Sequence, residues 1–197
     1  MLKLYSHSLS GNCHKVQLML SLLGLEYELV PVDLLNGEQK APAFLVLNSL
    51  GQVPVFIDGK LLIRDAQAIL VYLARRYGEA WLPIEAEPLA RVMQWLSTAA
   101  NEIQHSFSAA RRHYMFNTQV NPEPAQQKAH QLLQILDQHL HERSWLELSR
   151  PTIADIACFP YINLAAEGKI YLDNYPNVRA WTTRIKQLPG YVGMPSL

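Results

Sequence analysis

The hydrophobic pattern changes period repeatedly over residues 1–77 and keeps one period after them, and this contrast constrains the fold more than any other feature of the chain. Short runs with strand character alternate there with segments whose apolar residues recur every three or four positions, as on one face of a helix. The predicted order is βαβαββα. A crossover helix makes the first two strands parallel, and Asp58-Gly59, a dipeptide favoured in tight hairpin turns, makes the last two antiparallel. Residues 1–77 are therefore predicted to form an α/β domain with a mixed four-stranded sheet.

The remainder of the chain is predicted to be helical. A polar, proline-containing linker occupies residues 78–88, and residues 89–197 carry helical spacing without strand signals. We expect one long helix over about residues 89–114, a second that starts at Asn121-Pro122 and a last one over about residues 177–188. An all-α C-terminal domain thus follows the α/β domain.

Composition and charge exclude several classes of function. Seventeen basic residues balance seventeen acidic ones, and a formal net charge of zero offers no clustered basic surface for nucleic acid or an anionic membrane. The two cysteines, Cys13 and Cys158, lack the spacing of a zinc site or a disulfide framework, so no metal is expected and a reducing compartment fits best. Neither a secretory signal nor a run of about 18 apolar residues is visible. We expect a soluble cytoplasmic protein.

Residues 5–16 join the first predicted strand to the first predicted helix and carry the strongest candidate site. Ser10 stands where its hydroxyl would lie beside the free N–H groups of Asn12 and Cys13. A helix N-terminus attracts negative charge, so this arrangement is suited to hold a thiolate. A serine in this position is also a common helix N-cap, and the two roles need not compete.

Two further segments carry candidate binding groups. Proline within a predicted strand removes a ladder donor, and a cis Val53-Pro54 bond would leave the Val53 backbone groups free to pair with an extended peptide. Asp65 begins the last predicted helix of the first domain. It either caps the helix or helps to bind an amino-acid moiety, whose ammonium group would pair with Asp65 while its carboxylate accepts from the N–H groups of Ala66 and Gln67.

These segments, in this order ahead of an all-helical half, resemble the glutathione S-transferase family over essentially the whole chain. Residues 152–156 are similar to the family's buried capping motif, and residues 181–190 to its terminal helix. The resemblance implies a thioredoxin-like N-terminal domain and a bacterial-type, serine-dependent member in which Ser10 activates the glutathione thiol. It also implies that glutathione, as co-substrate, is bound by Lys40, Gln52, Val53, Pro54, Asp65 and Ala66.

Two departures from the family pattern predict weaker glutathione binding than in typical relatives. Asp65-Ala66 replaces the usual Glu-Ser pair, which removes one hydroxyl contact and shortens the acid by one methylene. Ser49 also replaces the proline that usually precedes Leu50-Gly51. The backbone N–H of Ala66 remains available.

Other residues offer alternative chemistry at the same site. Tyr5 is the alternative to Ser10, because other family members use a tyrosine near the end of the first strand. Cys13 falls inside the predicted helix, where a buried structural thiol is expected. A thiol–disulfide oxidoreductase is disfavoured, because the first turn of the helix offers Ser10 and no cysteine pair.

The resemblance implies a glutathione transferase that conjugates the glutathione thiolate to an electrophilic small molecule, acts in detoxification and forms a homodimer. The long helix is expected to bring Asn101, His105, Arg111 and Tyr114 towards the cleft between the domains as a second-substrate pocket, with a solvated helix face as the alternative. Arg111 or Arg112 there would favour an anionic acceptor. Two other functions stay open: another glutathione-dependent reaction, such as isomerisation, dehalogenation or peroxide reduction, and a non-catalytic binding protein.

Overall fold

The computed structural model describes residues 1–195, which include a mixed four-stranded sheet in the first part of the chain. Its strands are β1 (Leu2–Ser6), β2 (Tyr27–Pro31), β3 (Val55–Asp58) and β4 (Leu61–Arg64). Their order is β2-β1-β3-β4. β1 pairs with β2 in parallel, whereas β3 is antiparallel to both β1 and β4. The predicted topology is confirmed.

Helices α1 (Gly11–Leu22), α2 (Pro42–Leu47) and α3 (Ala66–Tyr77) complete this α/β half. The predicted hairpin connects β3 to β4. Its turn lies at Gly59 and Lys60, and Gly59 has a φ of 60°, in the left-handed region that favours glycine. The chain thus follows the predicted βαβαββα order.

The rest of the described chain is helical. It consists of α4 (Ala86–Ala100), α5 (Ala109–Phe116), α6 (Glu123–His139), α7 (Ile153–Asn163) and α8 (Pro176–Lys186). A wider π-helical turn, Gln104–Ser108, lies between α4 and α5.

The prediction of one continuous helix over residues 89–114 is wrong, because α4 ends at Ala100 and the π-helical turn intervenes. A π-helical turn takes up more residues than an α-helical one, so it rotates the following helix relative to the preceding one. Hydroxyls in this region bond back to carbonyls one turn earlier: Ser97 Oγ to Met93 O at 3.2 Å and Ser106 Oγ to Glu102 O at 2.5 Å. Such bonds compete with the regular helical ladder.

The predicted capping motif before α7 is present. Thr152 caps the helix, and Asp155 accepts hydrogen bonds at 2.9 Å from the backbone N–H groups of Leu146 and Thr152 and from the Trp181 indole. Burial raises the pKa of Asp155 to about 6. This carboxyl therefore ties the start of α7 to α8.

One hydrophobic core runs through both halves of the protein. Leu4 of β1, Val16 of α1 and Ile69 of α3 belong to the same buried cluster as Ile156 of α7 and Trp181 of α8. α1 and α3 both pack against α7. The two halves are thereby fixed against each other along the cleft that contains Ser10. No helix within residues 1–195 is long and apolar enough to cross a membrane.

Candidate active site

Ser10 lies at the N-terminus of α1, where the loop from β1 meets the helix. Its backbone is extended, with φ −90° and ψ 113°, and its Oγ accepts a hydrogen bond from the Cys13 N–H at 3.3 Å. This is the geometry of an N-cap. Because the cap uses only an acceptor position of the hydroxyl, the proton remains available to donate to an anion.

A tyrosine from the helical half covers the start of α1. A Cβ at Gly11 would lie 2.6 Å from the ring of Tyr161, so only glycine allows α7 to approach the helix N-terminus this closely. Tyr161 is buried and borders the same cleft as Ser10. Burial raises the pKa of its hydroxyl, so Tyr161 stays protonated at neutral pH.

The cleft beside Ser10 has a volume of about 420 Å³, within the range of roughly 300 to 1,000 Å³ that is usual for small-molecule sites. Both halves of the protein line it. From the α/β half come Ser10, Asn12, Gln52, Val53, Asp65 and Gln67. From the helical half come Gln104, Ser108, Arg111, Arg112, Phe116 and Tyr161.

The Val53-Pro54 peptide bond is cis. Val53 and Gln52 border the cleft just before β3 begins at Val55. The buried Asn48 holds this loop, because its Nδ2 donates to the Gln52 carbonyl at 2.8 Å. The backbone of Val53 therefore lies at the cleft, just before β3. The sequence predicts that an extended peptide pairs with these backbone groups.

Asp65 is the N-cap of α3. Its Oδ1 accepts hydrogen bonds from the N–H groups of Gln67 at 2.9 Å and Ala68 at 3.1 Å. The Gln67 N–H is thus occupied, which corrects the expectation that it is free to bind a ligand. The Ala66 N–H and the second carboxylate oxygen of Asp65 remain for that purpose. Asp65 has a φ of 76°, unusual for a residue with a side chain, and it borders the cleft while Ala66 is buried behind it.

Lys40 is not among the described residues that border the cleft, but it packs against Gly51, which does. Its Nζ donates to the Leu50 carbonyl at 3.0 Å, and its side chain is packed along Gly51. A Cβ at Gly51 would lie 2.8 Å from Lys40 Nζ. Gly51 and the neighbouring Gln39 border the cleft, so an ammonium group stands beside its entrance.

The structure separates the four residues expected in the second-substrate pocket. Asn101 and His105 border a different depression, which they form with residues of α6, and Tyr114 packs under Lys169 with its ring centroid 4.4 Å from the ammonium nitrogen. Of the four expected residues, only Arg111 borders the cleft. The expectation for the other three is corrected, because the π-helical turn changes which side of the chain faces the cleft.

Three residues of the helical half, Arg111, Met115 and Tyr161, border the cleft but fall outside the regular spacing of the others. The other five recur every fourth position: Ala100, Gln104, Ser108, Arg112 and Phe116. A search of the sequence at this wider spacing, rather than at the α-helical average of 3.6, would have found them.

Arg111 is buried and makes contacts with both halves of the protein. Its Nε pairs with Glu167 Oε2 at 2.5 Å, and its Nη1 donates to the Leu9 carbonyl at 2.7 Å. Arg112, by contrast, is exposed at the cleft. The two neighbouring arginines therefore occupy different environments.

Tyr5 and Cys13 are placed away from the cleft surface. Tyr5 packs edge-on against Phe44, with ring centroids 6.2 Å apart, and does not border the cleft among the described residues. Cys13 is fully buried, and burial raises the pKa of its thiol. The prediction of a buried structural thiol is confirmed.

Lys15 is a buried cation that the sequence analysis did not identify. Its side chain is fully buried between α1 and α7, with Nζ 5.5 Å from the centroid of the Tyr161 ring and without a hydrogen-bond partner among the described residues. Burial lowers its pKa to about 8. Because lysine side chains are mostly exposed, the sequence gives no signal that Lys15 is buried.

A mixed α/β domain with a helix N-terminus and a cis-proline loop at one edge, closed by a helical domain, defines a thioredoxin-like fold joined to an all-α domain. Residues 1–75 match the family model of the glutathione S-transferase N-terminal domain, and residues 89–189 match that of the C-terminal domain. The chain belongs to the glutathione S-transferase family.

Individual proteins and solved structures are similar to this chain over most of its length. The disulfide-bond oxidoreductase YfcG of Escherichia coli is 31% identical over 90% of this chain and 87% of its own. The crystal structure of a glutathione S-transferase from Pseudomonas fluorescens is 31% identical, covers 99% of each chain and superimposes with a TM-score of 0.92. A glutathione transferase from Pseudomonas putida, crystallised with one glutathione disulfide per subunit, is 27% identical, covers 96% of this chain and 88% of its own, and has a TM-score of 0.87.

Proposed function

We propose that this protein is a glutathione transferase that conjugates the glutathione thiolate to an electrophilic small molecule. The observation that carries the proposal is the position of Ser10, whose hydroxyl stands at the N-terminus of α1 and borders the cleft. A hydroxyl donor and a helix N-terminus together favour a negatively charged sulfur over a thiol. The serine-dependent form of the chemistry is favoured over one that uses Tyr5, because Tyr5 packs against Phe44.

Residues 1–77 supply the glutathione site in this proposal and residues 89–197 supply the acceptor side. The predicted linker, residues 78–88, joins them, and its last three residues lie in the first turn of α4, which begins at Ala86. The Val53 backbone, ahead of Pro54, pairs with the cysteine residue of glutathione. Asp65 and the Ala66 N–H hold the γ-glutamyl group. Lys40 and Gln52 hold the other end of the tripeptide, Lys40 through its positive charge beside the glycine carboxylate. The lack of a hydroxyl at Ala66 weakens this binding.

The reaction follows from this placement. The bound thiol loses its proton to solvent, and Ser10 donates a hydrogen bond to the sulfur. The thiolate then attacks an electrophilic carbon held against the helical domain. With an aryl chloride the new S–C bond forms and chloride leaves with the bonding electrons, so no external oxidant or reductant is required. Positioning and thiolate stabilisation supply the rate gain.

The acceptor pocket is formed by the helical residues that face the cleft. Phe116 offers apolar surface there, and the exposed Arg112 carries a positive charge at the same wall. We propose that Arg112 favours acceptors that bear an anionic group. Loss of that preference in Arg112→Met, with activity towards neutral acceptors unchanged, is the expected result; an unchanged preference would contradict it.

The family assignment supports three further proposals. The protein forms a homodimer, works in the cytoplasm and acts in detoxification. Light scattering coupled to size-exclusion chromatography tests the first, with a mass twice that of the 22.4 kDa chain as the expected result.

Glutathione-dependent disulfide reduction is the second candidate function. The lack of a cysteine pair at the start of α1 disfavours it, but the similarity to YfcG, a disulfide-bond oxidoreductase, supports it. Here the thiolate of one glutathione would attack a disulfide and a second glutathione would release the mixed disulfide, so the protein itself needs no reactive cysteine. The other open alternatives, including a non-catalytic binding protein, have no comparable observation in their favour.

Two assays separate these functions. Retention on immobilised glutathione establishes binding, and turnover of an activated aryl chloride is then compared with turnover of a small dialkyl disulfide, each in the presence of glutathione. We expect retention and faster conjugation than disulfide reduction. Retention with disulfide reduction alone would favour the second candidate, and retention without either reaction would favour a binding protein.

A further inference from the structure

The peptide unit immediately before Ser10 is held on both sides. The Ser10 N–H donates to the His7 carbonyl at 3.0 Å. On the opposite side, the Leu9 carbonyl accepts from Arg111 Nη1 at 2.7 Å. Because the Leu9 C=O and the Ser10 N–H belong to one planar unit, the two bonds fix its orientation. That orientation, with the start of α1, sets the direction in which the Ser10 side chain leaves the backbone.

Arg111 is itself held in one orientation. Only 3% of its surface is exposed, and its Nε pairs with Glu167 Oε2 at 2.5 Å. The guanidinium is planar and rigid, so a partner fixed at Nε also fixes the direction of Nη1. Glu167 therefore determines where Arg111 meets the Leu9 carbonyl.

The short helical turn that carries Glu167, Ala165–Gly168, is packed tightly on α5. A Cβ at Gly168 would lie 3.1 Å from both Ala110 Cβ and Arg111 N, so a side chain there would push the turn and α5 apart by a few tenths of an ångström. Gln126 Nε2 donates to the Gly168 carbonyl at 2.9 Å. The carboxylate and the guanidinium are thus placed by a rigid part of the helical domain rather than by their mutual attraction alone.

A buried ion pair is weak evidence for stability, because the cost of desolvating both charges can exceed their attraction. Its better-supported use is to select one arrangement of the surrounding groups. Here the arrangement joins the helical domain to the loop that presents Ser10. We propose that Arg111 is a positioning residue that fixes the peptide unit before Ser10, and that Glu167 orients its guanidinium. The inference rests on the proposed role of Ser10, through which Arg111 acts.

Under this proposal the neighbouring residues Arg111 and Arg112 have different roles. The positive charge of Arg111 is matched by Glu167 and its Nη1 is used by Leu9, whereas Arg112 is exposed at the cleft. Arg111 therefore contributes to the thiolate site and Arg112 to the acceptor wall. The same positioning would couple the placement of the helical domain to the acidity of the bound thiol.

A double-mutant cycle tests the inference. Arg111→Met and Arg111→Lys are made in the wild-type and Ser10→Ala backgrounds. Arg184→Met is the control, because Arg184 likewise donates to a backbone carbonyl, that of Ser144, but lies outside the cleft. The readouts are KM for glutathione and, at saturating glutathione, kcat/KM for an activated aryl chloride across pH, which reports the thiol of the enzyme–glutathione complex.

In the wild-type background we expect Arg111→Met to lower kcat/KM at neutral pH about tenfold and to raise the apparent pKa of the bound thiol, while KM for glutathione changes less than about threefold. Arg111→Lys should recover part of the loss, because an ammonium keeps the charge but cannot span both partners. In the Ser10→Ala background Arg111→Met should cause no further loss. Arg184→Met should match the wild type.

Two results would overturn the inference. One is an Arg111→Met variant that behaves like Arg184→Met, and the other is an equal loss in both backgrounds, which would mean that Arg111 does not act through Ser10. A Ser10→Ala variant with wild-type activity would instead refute the role of Ser10 on which the inference rests, and a wild-type protein that does not conjugate the aryl chloride would refute the proposed function. If Arg111→Met does not fold, Glu167→Gln, which keeps a neutral acceptor for Nε, is used in the same cycle with the same criteria.

Discussion

Replacing Ser10 with alanine removes two interactions of one hydroxyl, and their sizes separate stability from activity. The first is the N-cap bond with the Cys13 N–H at 3.3 Å, whose loss costs about 1 kcal/mol of unfolding free energy. The second is the proposed hydrogen bond to the thiolate, which would contribute roughly 1.5 to 3 kcal/mol. About 1.4 kcal/mol corresponds to one pKa unit, so the pKa of the bound thiol should rise by about 1 to 2. With the thiol of the variant ionising near the ordinary value of about 8.5, the thiolate fraction at pH 7, and with it the rate of conjugation, should then fall about 8- to 25-fold.

The assay is conjugation of an activated aryl chloride at saturating glutathione across pH, with urea unfolding measured in parallel. Ser10→Thr keeps a hydroxyl and should retain most of the activity. Ser8→Ala is the matched control, because Ser8 is an exposed serine of the same loop. The reasoning is refuted if Ser10→Ala matches Ser8→Ala in rate at neutral pH, or if it loses activity without a shift of the pH profile to higher pH.

Three further predictions concern residues around the site. Ala66→Ser should lower KM for glutathione about two- to tenfold by restoring a hydroxyl donor, and an unchanged KM would contradict the proposed γ-glutamyl contact. Gly11→Ala should lower the unfolding free energy by about 1 to 3 kcal/mol, because its Cβ would lie 2.6 Å from the Tyr161 ring, whereas Gly193→Ala, whose Cβ has its nearest neighbour at 3.9 Å, should be neutral; equal stability of the two would contradict the contact. The pKa of Lys15 is lowered to about 8 from 10.5, so the unfolded chain binds more protons between these pH values and this residue makes stability rise with pH there. Lys15→Met should remove that rise in urea unfolding measured from pH 8 to 10, and an unchanged slope would contradict the lowered pKa of the buried Lys15.

Sequence signals that span a few residues predicted most of the elements of the fold. Asp58-Gly59 predicted the hairpin, in which Asp58 ends β3 and Gly59 begins the turn with a φ of 60°. Thr152 with Asp155 predicted a helix start. Both features act within a few residues. The helix over residues 89–114 was different. Its interruption coincides with hydroxyl groups of Ser97 and Ser106 that bond to the backbone, a feature that does not alter the apolar spacing.

The candidate site was predictable only where its residues are close in sequence to a helix start. Ser10 and Asp65 are N-caps, so the sequence located both. Arg111 contacts Leu9, which lies 102 positions away in the sequence, and Glu167, which lies 56 positions away. No local pattern encodes such contacts. The burial of Lys15 depends on α7 in the same way.

Titration of the glutathione thiol in the binary complex tests the central claim most directly. The ultraviolet absorbance of the thiolate is followed against pH for the wild type and for Ser10→Ala, with free glutathione as the reference. The account predicts that the bound thiol ionises at least about one pH unit below the ordinary thiol value of about 8.5 in the wild type, and that the alanine variant returns most of the way to that value. A wild-type complex whose thiol ionises at the same pH as free glutathione, or at the same pH as in the alanine variant, would contradict it.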